Sequence, residues 1–504
     1  MRKRYAFKLV SNVLSGLCNT VTQLVVPRVL GPGQYGNFSF VTNFFGQVGS
    51  LLDAGSSTAL CTKIAQRSKE SGLVRFYSYI ASFLLLAQGL FILVVGLTPW
   101  SGWVWPEQNL SIVVMGFGWA FLTWLTTTVI NMADALGLTV SSEKARVWNK
   151  LIGLGGLLVL AQFHLLSLAG YFGLTYVIFL GLLAQLFVII RRSGLLGDQI
   201  REPISSSQRR AYWGEFFRFS RPLFVFMVVS SLANVFERNL LQQFGGSIEQ
   251  GYFGFAMQLS NLSLLFTQAM VPLIHREFSM GSAEGDRAKL VRLYRTYVPP
   301  LYALSAAFCG FVAIYSREVC LLMGGAKYGG GASCLFFMGL FPICATFGQL
   351  SSALFYASNR TDIFQRMALF SLIVGVPMAY FLLAPGDRGG LGLGAEGLAI
   401  KMLSFQTILM VFQLYCTTEL LGLSFAKHLS HAMASVLIFL GFAFLSHWAV
   451  KHLAMTSHLL VVLCGGGLYG LIAWFSLFAT PQLFGIHRQD FHSLIQRARD
   501  RLSY

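Results

Sequence analysis

Two arginines lie within apolar stretches of the sequence, where a fixed positive charge could bind an anion. Arg28 stands in "VVPRVLGPGQYG", and Arg238 stands in "FERNLLQQFGG" directly after Glu237. A guanidinium presents a planar fork of donors that suits the oxygens of a phosphate. The alternative is that each long side chain extends to a polar surface while its stem stays in apolar surroundings. The two residues themselves leave both interpretations open.

Amide and hydroxyl side chains recur at helical spacing around these arginines. They stand three, four or seven residues apart, so each set lies on one face of a helix. A single buried amide is explained by a hydrogen bond between helices, worth about 0.6 kcal/mol. Four polar faces together favour a hydrated cavity. The four sets are Asn12, Asn19 and Gln23; Ser39, Asn43 and Gln47; Ser230, Asn234, Arg238 and Gln242; and Gln258, Asn261 and Gln268.

Three acidic residues and one lysine also fall within or beside apolar stretches. Lys401 follows Glu396 by five residues, and it could line the cavity or extend to the surface. Asp53, in "LLDAG", could couple transport to a proton or pair with a loop cation, and the structural role is slightly favoured. Glu237 could form a salt bridge with its neighbour Arg238 or compete with an anion for it. Asp53, Glu237 and Glu396 are therefore the candidates for ion coupling or salt bridges.

The composition indicates that these residues lie in a membrane. Of the 504 residues, 55% are hydrophobic and only 11% are charged, and the mean hydropathy is +0.63. A soluble domain carries about a quarter charged residues, whereas a helix that crosses the hydrocarbon needs about 20 mostly apolar ones. We therefore predict an all-α polytopic membrane protein.

The breaks between apolar segments predict about fourteen transmembrane helices. An even number of spans places both termini on the same side of the membrane. The predicted limits are 8–29, 36–58, 76–98, 111–131, 149–166, 171–190, 219–243, 251–275, 296–315, 334–357, 367–384, 396–416, 431–450 and 458–478.

The positions of the basic residues orient these spans. Of the 37 lysines and arginines, only Arg317, Lys327, Arg388 and Lys451 fall in the loops on the side opposite the termini. Basic residues concentrate in cytoplasmic loops, so we predict that both termini are cytoplasmic. The same bias accounts for most of the net charge of +17, and no nucleic-acid partner is needed to explain it.

The longest predicted cytoplasmic connection, residues 191–218, divides the chain into two six-helix bundles. It contains "SSSQRRAYWGEFFRFSRP", in which basic and aromatic residues alternate as in a helix at the membrane interface. The predicted organisation is an N-lobe at 1–190, this amphipathic linker, a C-lobe at 219–416, and two further spans with an amphipathic tail at 417–504.

A weak internal sequence repeat indicates that the two bundles are pseudo-symmetric. The segment "ERNLLQQFGGSIEQGYFGFAMQLSN" resembles the end of span 1, its turn and the start of span 2. Tyr35 and Phe38 correspond to Tyr252 and Phe255, and the arginine before each turn is in a comparable place. Parallel repeats of this kind are typical of transporters that bind substrate between the halves.

The sequence offers no pattern for catalysis, a metal or a cofactor. Its eight cysteines are scattered without a C-x-x-C pair, and no D-x-D and no G-x-x-x-x-G-K-[ST] phosphate loop occurs. The chain is therefore predicted not to be an enzyme and not to hydrolyse ATP itself. Cys320 and Cys334 flank one predicted external loop, and their pairing stays open.

Several segments resemble the bacterial polysaccharide-transporter, or O-antigen (Wzx-type) flippase, family. They are "RVLGPGQYGNFSF", "LLDAGSSTALCTKIA", "FERNLLQQFGG", "GYFGFAMQLSNLSLLFTQAMVPLIHREF" and "GGAKYGGGASCLFFMGLFP". The resemblance covers spans 1, 2, 7, 8 and 10, and the remainder only by topology. Its superfamily also contains multidrug (MATE) exporters and the lipid II flippase. The usual Asp-Arg pair of span 7 is Glu237-Arg238 here, and Lys401 stands where relatives carry a small residue.

The resemblance implies a transport function. Such proteins have two six-helix lobes around a cationic cavity and flip an undecaprenyl-pyrophosphate-linked oligosaccharide across the bacterial inner membrane by alternating access. The expected partners are this lipid, membrane lipids and other polysaccharide-assembly proteins, with no cofactor and no metal. The candidate residues for the headgroup and cavity are Arg28, Arg238, Lys401, Asn19, Gln23, Asn43, Gln47, Asn234 and Asn261.

Two other functions remain as alternatives. A MATE-like, ion-coupled antiporter of small molecules would need an acidic cavity, whereas the buried charge predicted here leans basic. A glycan polymerase or ligase in the membrane would need a large external loop or acidic metal-binding motifs, which the sequence lacks. The resemblance specifies neither the sugar nor a coupling ion.

Overall fold

The computed structural model of the protein describes residues 2–67, 70–193, 205–358, 360, 362–453 and 457–485, and every regular element in these ranges is helical. This confirms the predicted all-α class. The helices of the first half are α1 (Arg2–Asp53), α2 (Ser56–Gln66), α3 (Ser71–Gly96), α4 (Ser101–Val104), α5 (Leu110–Ala135), α6 (Thr139–Gln162), α7 (Leu168–Arg192) and α8 (Ser206–Ser263).

The helices of the second half have 8 to 28 residues each, whereas α1 and α8 have 52 and 58. Those of the second half are α9 (Leu265–Ala283), α10 (Arg287–Ile314), α11 (Ser316–Gly324), α12 (Ala332–Ala357), α13 (Asp362–Phe370), α14 (Val376–Leu383), α15 (Gly394–Leu421), α16 (Phe425–His452) and α17 (His458–Ala479). A π-helical turn at Ser371–Gly375 joins α13 to α14. Each of the fourteen predicted spans overlaps one or more of these helices.

Nine helical stretches within the described ranges are long and apolar enough to cross a membrane. They lie in α3, α5, α7, α10, α12, α13–α14, α15, α16 and α17. Five other predicted spans lie in α1, α6 and α8–α9, and four of these five carry the polar faces found in the sequence.

The two longest helices, α1 and α8, each contain a single glycine outside the helical conformation. Gly31 has φ 75° and ψ 169°, and Gly246 has φ 69° and ψ −171°. Positive φ costs glycine little because it has no Cβ. The turns predicted between spans 1 and 2 and between spans 7 and 8 are therefore too long. Each is a kink at one residue, after which the backbone resumes the helix.

The chain divides into two compact units. Unit 1 comprises Met1–Gly254 and Ser371–Gly390, and unit 2 comprises Phe255–Phe370 and Leu391–Tyr504. In unit 1, α1 packs against α5 and α6, and aromatic rings such as Phe44, Phe45 and Trp105 fill the space between helices. In unit 2, α12 packs against α15, α10 and α9. The predicted lobe limits at 190 and 219 rest on the repeat and stay a prediction.

The described part of the predicted linker consists of the end of α7 and the start of α8, which carries the aromatic residues. Its Tyr212 and Phe216 are buried against Phe76 of α3, whereas Trp213 and Phe217 are exposed. This two-faced distribution is that of an interfacial helix. Residues 194–204 of the linker and the predicted C-terminal amphipathic helix lie outside the described residues.

Polar contacts also hold the start of α8 to the loop after α2. Glu215 pairs with Arg67 and, at 3.6 Å, with Lys63. Burial by itself would raise the pKa of the Glu215 carboxyl, but the hydrogen bond and charge of Arg67, aided by Lys63, hold it below its usual value. Tyr212 donates a hydrogen bond to Glu70. Burial and this carboxylate raise the pKa of Tyr212 to about 12.

Candidate functional site

Arg238 is a buried cation held between α1 and α8. Its side chain is only 6% exposed. One guanidinium nitrogen, Nη2, donates a hydrogen bond of 2.6 Å to Ser39 Oγ on α1, and Cζ lies 4.8 Å from the centre of the Phe253 ring. A cation over an aromatic face is stabilised by the ring quadrupole. Gln250 donates to the carbonyl oxygen of Arg238, which fixes the backbone beside the guanidinium.

A small residue lets α1 and α8 meet at this arginine. A Cβ on Gly254 would lie 2.8 Å from the Cβ of Ser39, closer than two side chains can approach. Ser39, the partner of Arg238, begins the predicted polar face with Asn43 and Gln47. The structure therefore joins the arginine of one predicted polar face to the serine of another. Glu237, next to Arg238, is also buried, at 6% exposure.

The two kinked helices pack against each other through reciprocal glycines. A Cβ on Gly36 would overlap the backbone of Ser247, and a Cβ on Gly251 would overlap the backbone of Pro32. Each of these glycines stands five residues after its own kink, and each faces the residue that follows the other kink. This reciprocal contact agrees with the internal repeat seen in the sequence.

The two kinks also align the two halves of the repeat. This alignment differs from the one predicted from the sequence, in which Arg28 and Arg238 are in comparable places. When Gly31 is matched to Gly246, Arg28 corresponds to Gln243 and not to Arg238. Arg28 is exposed, whereas Arg238 is buried. The expectation of an equivalent pair of arginines is therefore not met by the positions of these side chains.

A second polar cluster surrounds the kink of α8. The carboxylate of Glu107 accepts hydrogen bonds from the backbone nitrogen of Ser247, at 3.1 Å, and from Gln242 Nε2, at 3.4 Å. Gln242 Nε2 also donates to Ser247 Oγ at 3.0 Å. Asn37 Oδ1 accepts from Ser247 Oγ and, at 2.9 Å, from Gln108 Nε2. Sequence reasoning missed this cluster except for Gln242, because Glu107 and Gln108 belong to a loop remote in sequence.

The other predicted cavity residues of unit 1 differ in exposure. Asn19 is exposed and accepts a hydrogen bond from Lys150 Nζ at 2.9 Å. Gln23, Gln47, Asn43 and Asn234 are half-buried. The side-chain oxygens of Asn43 and Asn234 are buried, and within the described ranges they have no hydrogen-bond partner. Buried amides are normally paired with protein or water, so these two oxygens favour a hydrated region.

Two predicted residues of unit 2 contrast with each other. Lys401, on α15, is 3% exposed, and its Nζ lies 5.2 Å from the centre of the Phe405 ring. Asn261, near the end of α8, is exposed. Glu396 is half-buried in the first turn of α15, where the helix dipole stabilises a negative charge.

Asp53 is held entirely by hydrogen-bond donors. It accepts from Ser56 Oγ at 2.8 Å, from the nitrogen and hydroxyl of Ser57 at 3.1 and 2.8 Å, and from the Tyr77 hydroxyl at 3.2 Å. It makes no ion pair with any residue that the structure describes. The carboxylate satisfies donors at the start of α2, which is a capping role. Cys320 and Cys334 are both buried free thiols.

A protein-family model matches more than half of the chain. Residues 2–276, which include both kinks and Arg238, match the family model described as "Polysaccharide biosynthesis protein". The chain belongs to the polysaccharide biosynthesis protein family. This confirms the family predicted from the sequence motifs. No curated protein matches the chain.

Solved structures show that this chain shares its fold with transporters. It is similar to the lipid II flippase MurJ in an inward closed conformation, with a TM-score of 0.67 and 12% identity over 96% of this chain and 100% of that one. It is also similar to a MATE multidrug resistance transporter in its inward-facing form, with a TM-score of 0.55 and 16% identity over 82% and 98% of the two chains.

The outward-facing form of a MATE transporter of the same superfamily gives a TM-score of 0.52 at 16% identity, over 83% of this chain and 95% of that one. At such identities the similarity shows the fold alone. The chain is therefore a multi-pass membrane protein with the fold of the MurJ and MATE transporters.

Proposed function

We propose that the protein is a flippase for a polyprenyl-pyrophosphate-linked oligosaccharide. It moves this lipid from the cytoplasmic to the outer leaflet of the bacterial cytoplasmic membrane by alternating access, and both termini are cytoplasmic. The family for polysaccharide biosynthesis supports the glycan, and the fold shared with a lipid II flippase supports movement of a lipid-linked cargo. The cargo is an O-antigen, capsule or exopolysaccharide repeat unit on an undecaprenyl-pyrophosphate type of carrier.

The buried guanidinium of Arg238 is the observation that carries the proposal. An isolated anion moved into hydrocarbon faces a cost of tens of kcal/mol by ion solvation. A positive charge already buried in the protein offsets part of this cost for the pyrophosphate. The polyprenyl tail needs no such help because it can stay in the lipid. The hydrogen bond to Ser39 and the Phe253 ring hold the fork of donors in one place.

The kinked helices supply a means of movement. Gly36 and Gly251 lie at the predicted external ends of spans 2 and 8. Through these two glycines α1 and α8 touch without any intervening side chain. For cargo to leave toward the outer leaflet, this contact has to open. The polar cluster around Glu107 would then exchange its internal hydrogen bonds for water, at little net cost per bond.

The remaining candidates take supporting roles in this proposal. Asn19, Gln23, Asn43, Gln47, Asn234, Asn261, Arg28 and Lys401 provide polar groups along the path. Asp53, Glu237 and Glu396 are the carboxylates available for ion coupling, and the capping contacts of Asp53 make it the weakest of the three. The chain has no phosphate-loop motif, so the energy comes from an ion gradient or from removal of the product.

An antiporter of cationic drugs is the principal rival, since MATE transporters share the fold. Its cargo would have to pass two buried cations, Arg238 and Lys401, which disfavours it by charge repulsion. The family and fold also point to a transporter and not to a glycan polymerase or ligase.

Reconstitution tests the proposal directly. The purified protein is placed in liposomes with an undecaprenyl-pyrophosphoryl oligosaccharide, and the fraction of sugar that becomes protected from a membrane-impermeant oxidant is followed. We expect protein-dependent movement of the lipid that is reduced about tenfold or more in Arg238→Ala, because a charge-assisted fork is lost.

The matched control is Arg209→Ala, which removes an exposed arginine from the same helix, α8. It is expected to transport as the wild type does. Movement of a cationic dye but not of the glycolipid would favour the antiporter. Equal transport by wild type and Arg238→Ala would refute the role of the buried arginine.

A further inference from the structure

An open cavity of about 480 Å³ lies in unit 2, and four of the eight residues that line it are glutamines. Its polar lining comes from four glutamines, one serine and one glycine on three helices. They are Gln268 of α9, Gly348, Gln349 and Ser352 of α12, and Gln406 and Gln413 of α15. The volume is within the range of small-molecule sites and far above the ≈ 30 Å³ share of one liquid water.

Helical spacing explains why these residues converge. Gly348, Gln349 and Ser352 lie on one side of α12, since Ser352 follows Gly348 by four residues and Gln349 by three. Gln406 and Gln413 are seven residues apart, which is two turns of α15. Because α12 packs against both α9 and α15, the three faces meet around one space.

Gln413 gives the strongest sign that the cavity takes a ligand. Its side chain is 2% exposed, and its Oε1 has no hydrogen-bond partner within the described ranges. Its Nε2 donates only to the sulfur of Met367, at 3.4 Å, which is a weak acceptor. A buried amide oxygen without a partner costs free energy, so a polar group brought by a ligand would satisfy it.

Gly348 lets two of the amides approach the wall of α12. A Cβ at this position would lie 3.2 Å from Gln413 Oε1 and 3.3 Å from Gln406 Nε2. These contacts are tighter than a methyl group normally makes, so the glycine leaves room for an acceptor and a donor side by side. Ser352 donates its own hydroxyl to the carbonyl of Gly348, at 2.7 Å, and keeps its oxygen lone pairs for an incoming donor.

The chemistry of the lining defines the ligand. Among the described residues that line the cavity, none is ionisable. A pyrophosphate would therefore find no counter-charge, and a cationic drug would find no carboxylate. Each primary amide offers both donors and an acceptor, which matches hydroxyl and acetamido groups, since these also donate and accept. In the predicted topology, Gln413 and Ser352 lie toward the cytoplasmic ends of their helices, the side from which the cargo is loaded.

We propose that the amide-lined cavity of unit 2 binds an uncharged sugar of the lipid-linked oligosaccharide. This assignment rests on the proposed function, and it separates the recognition of the glycan from that of the headgroup. Arg238 serves the pyrophosphate in unit 1, and the glutamines serve the neutral sugar in unit 2.

Two lipid probes distinguish the two parts of the cargo. The full-length protein in lipid nanodiscs is titrated with undecaprenyl pyrophosphate and with the same lipid carrying one N-acetylhexosamine, and the two dissociation constants are compared. The wild type is expected to bind the glycosylated lipid about tenfold more tightly, as two or so new neutral hydrogen bonds would give.

Gln406→Met and Gln413→Met are the test variants, because methionine is unbranched like glutamine and cannot form these hydrogen bonds. Each should reduce the preference for the glycosylated lipid to about twofold or less, while affinity for undecaprenyl pyrophosphate stays within about twofold of the wild type. The matched control is Gln482→Met, at an exposed glutamine of the same unit, which should change neither constant.

Gly348→Ala provides a second variant that keeps every glutamine. Alanine favours the helical backbone more than glycine does, so a loss of the folded protein is not expected. The added methyl should displace the amides of Gln406 and Gln413 and lower the preference for the glycosylated lipid. An unchanged preference in all three variants, or a wild type that binds both lipids equally, would overturn the sugar site and leave the proposed function standing. A wild type that binds neither lipid would overturn the proposed function and the sugar site with it.

Discussion

The two polar regions of the protein differ in how their polar groups are satisfied. Around the kinks of unit 1, charged and amide groups bind mainly one another: Arg238 binds Ser39, and Glu107 binds Ser247 and Gln242. In the cavity of unit 2, uncharged amides surround an open volume, and the Oε1 of Gln413 has no partner within the described ranges. The first arrangement closes a contact between helices, whereas the second leaves hydrogen-bonding capacity for a ligand.

This difference suggests a division of labour for a cargo with two kinds of chemistry. A pyrophosphate needs a buried positive charge, and a neutral sugar needs donors and acceptors without charge.

Gly36→Ala should have the largest effect, because it acts on the contact between the kinked helices. The new methyl group would overlap the backbone of Ser247, which cannot move as a side chain can. We expect transport to fall at least about tenfold, and the free energy of unfolding to fall by about 1–3 kcal/mol as in overpacked cores. Thermal unfolding and the liposome assay measure the two effects.

Gly33→Ala is the control for this change. Gly33 lies on the same helix, and a Cβ there would meet no atom within 4 Å. It should transport normally. If Gly36→Ala behaved like Gly33→Ala, the close contact of α1 and α8 would have no functional role.

Arg28→Ala should impair transport less than Arg238→Ala does. Arg28 is exposed and corresponds to Gln243 in the register set by the kinks, whereas Arg238 is buried and hydrogen-bonded. We expect a loss of about twofold for Arg28→Ala against about tenfold for Arg238→Ala, since an exposed charge contributes little. The initial rate of glycolipid movement is the measurement. Equal losses would restore the earlier hypothesis of two equivalent arginines.

Glu107→Ala should destabilise the kink of α8. It removes the acceptor of the Ser247 backbone nitrogen. Because this hydrogen bond is exposed and water can replace the carboxylate, we expect a loss of about 0.5–1.5 kcal/mol. Glu107→Gln keeps one acceptor oxygen, so it should recover part of the loss in thermal unfolding. Full stability in both variants would show that the cluster does not hold the kink.

Glu215→Gln should produce the smallest effect, and one that depends on pH. The pKa of Glu215 lies below its usual value of about 4.3. Its stabilising contribution is therefore complete above that usual value and disappears as pH falls through the lower, folded value. Because the partners are partly exposed, we expect only about 0.2–1 kcal/mol.

The measurement is the unfolding temperature of wild type and Glu215→Gln as pH is lowered from 7. The wild type should be slightly more stable at neutral pH, and the difference should vanish at the acidic end. A difference that grows on acidification would contradict the role of Arg67 and Lys63 in holding this carboxylate.

The sequence predicted the elements of the fold better than it predicted their contacts. Hydropathy predicted an all-α membrane protein, and each of its predicted spans overlaps a helix, because hydropathy depends on local composition. Arg238 and Ser39 were identified as members of polar faces, since the spacing of four residues is a local pattern. Their hydrogen bond joins residues 199 positions apart, and spacing within one helix cannot show which faces meet.

The errors have the same origin. The repeat was recognised from Tyr, Phe and Arg, but its register follows from Gly31 and Gly246, whose backbone angles are not readable from residue types alone. The cavity of unit 2 was missed although Gln268 was noted, because its other glutamines belong to two other helices, and spacing within one helix does not connect them. The glutamines form a recognisable pattern only when the packing of α9, α12 and α15 is known.

The account is tested most directly by the fate of the lipid-linked glycan in living cells. The gene is deleted, and the lipid-linked oligosaccharide facing the cytoplasm and the glycan at the cell surface are both quantified, with and without complementation by the wild type or by Arg238→Ala. We predict accumulation at the inner leaflet and loss of surface glycan in the deletion strain, restored by the wild type but not by Arg238→Ala. Normal surface glycan without accumulation in the deletion strain would contradict the account.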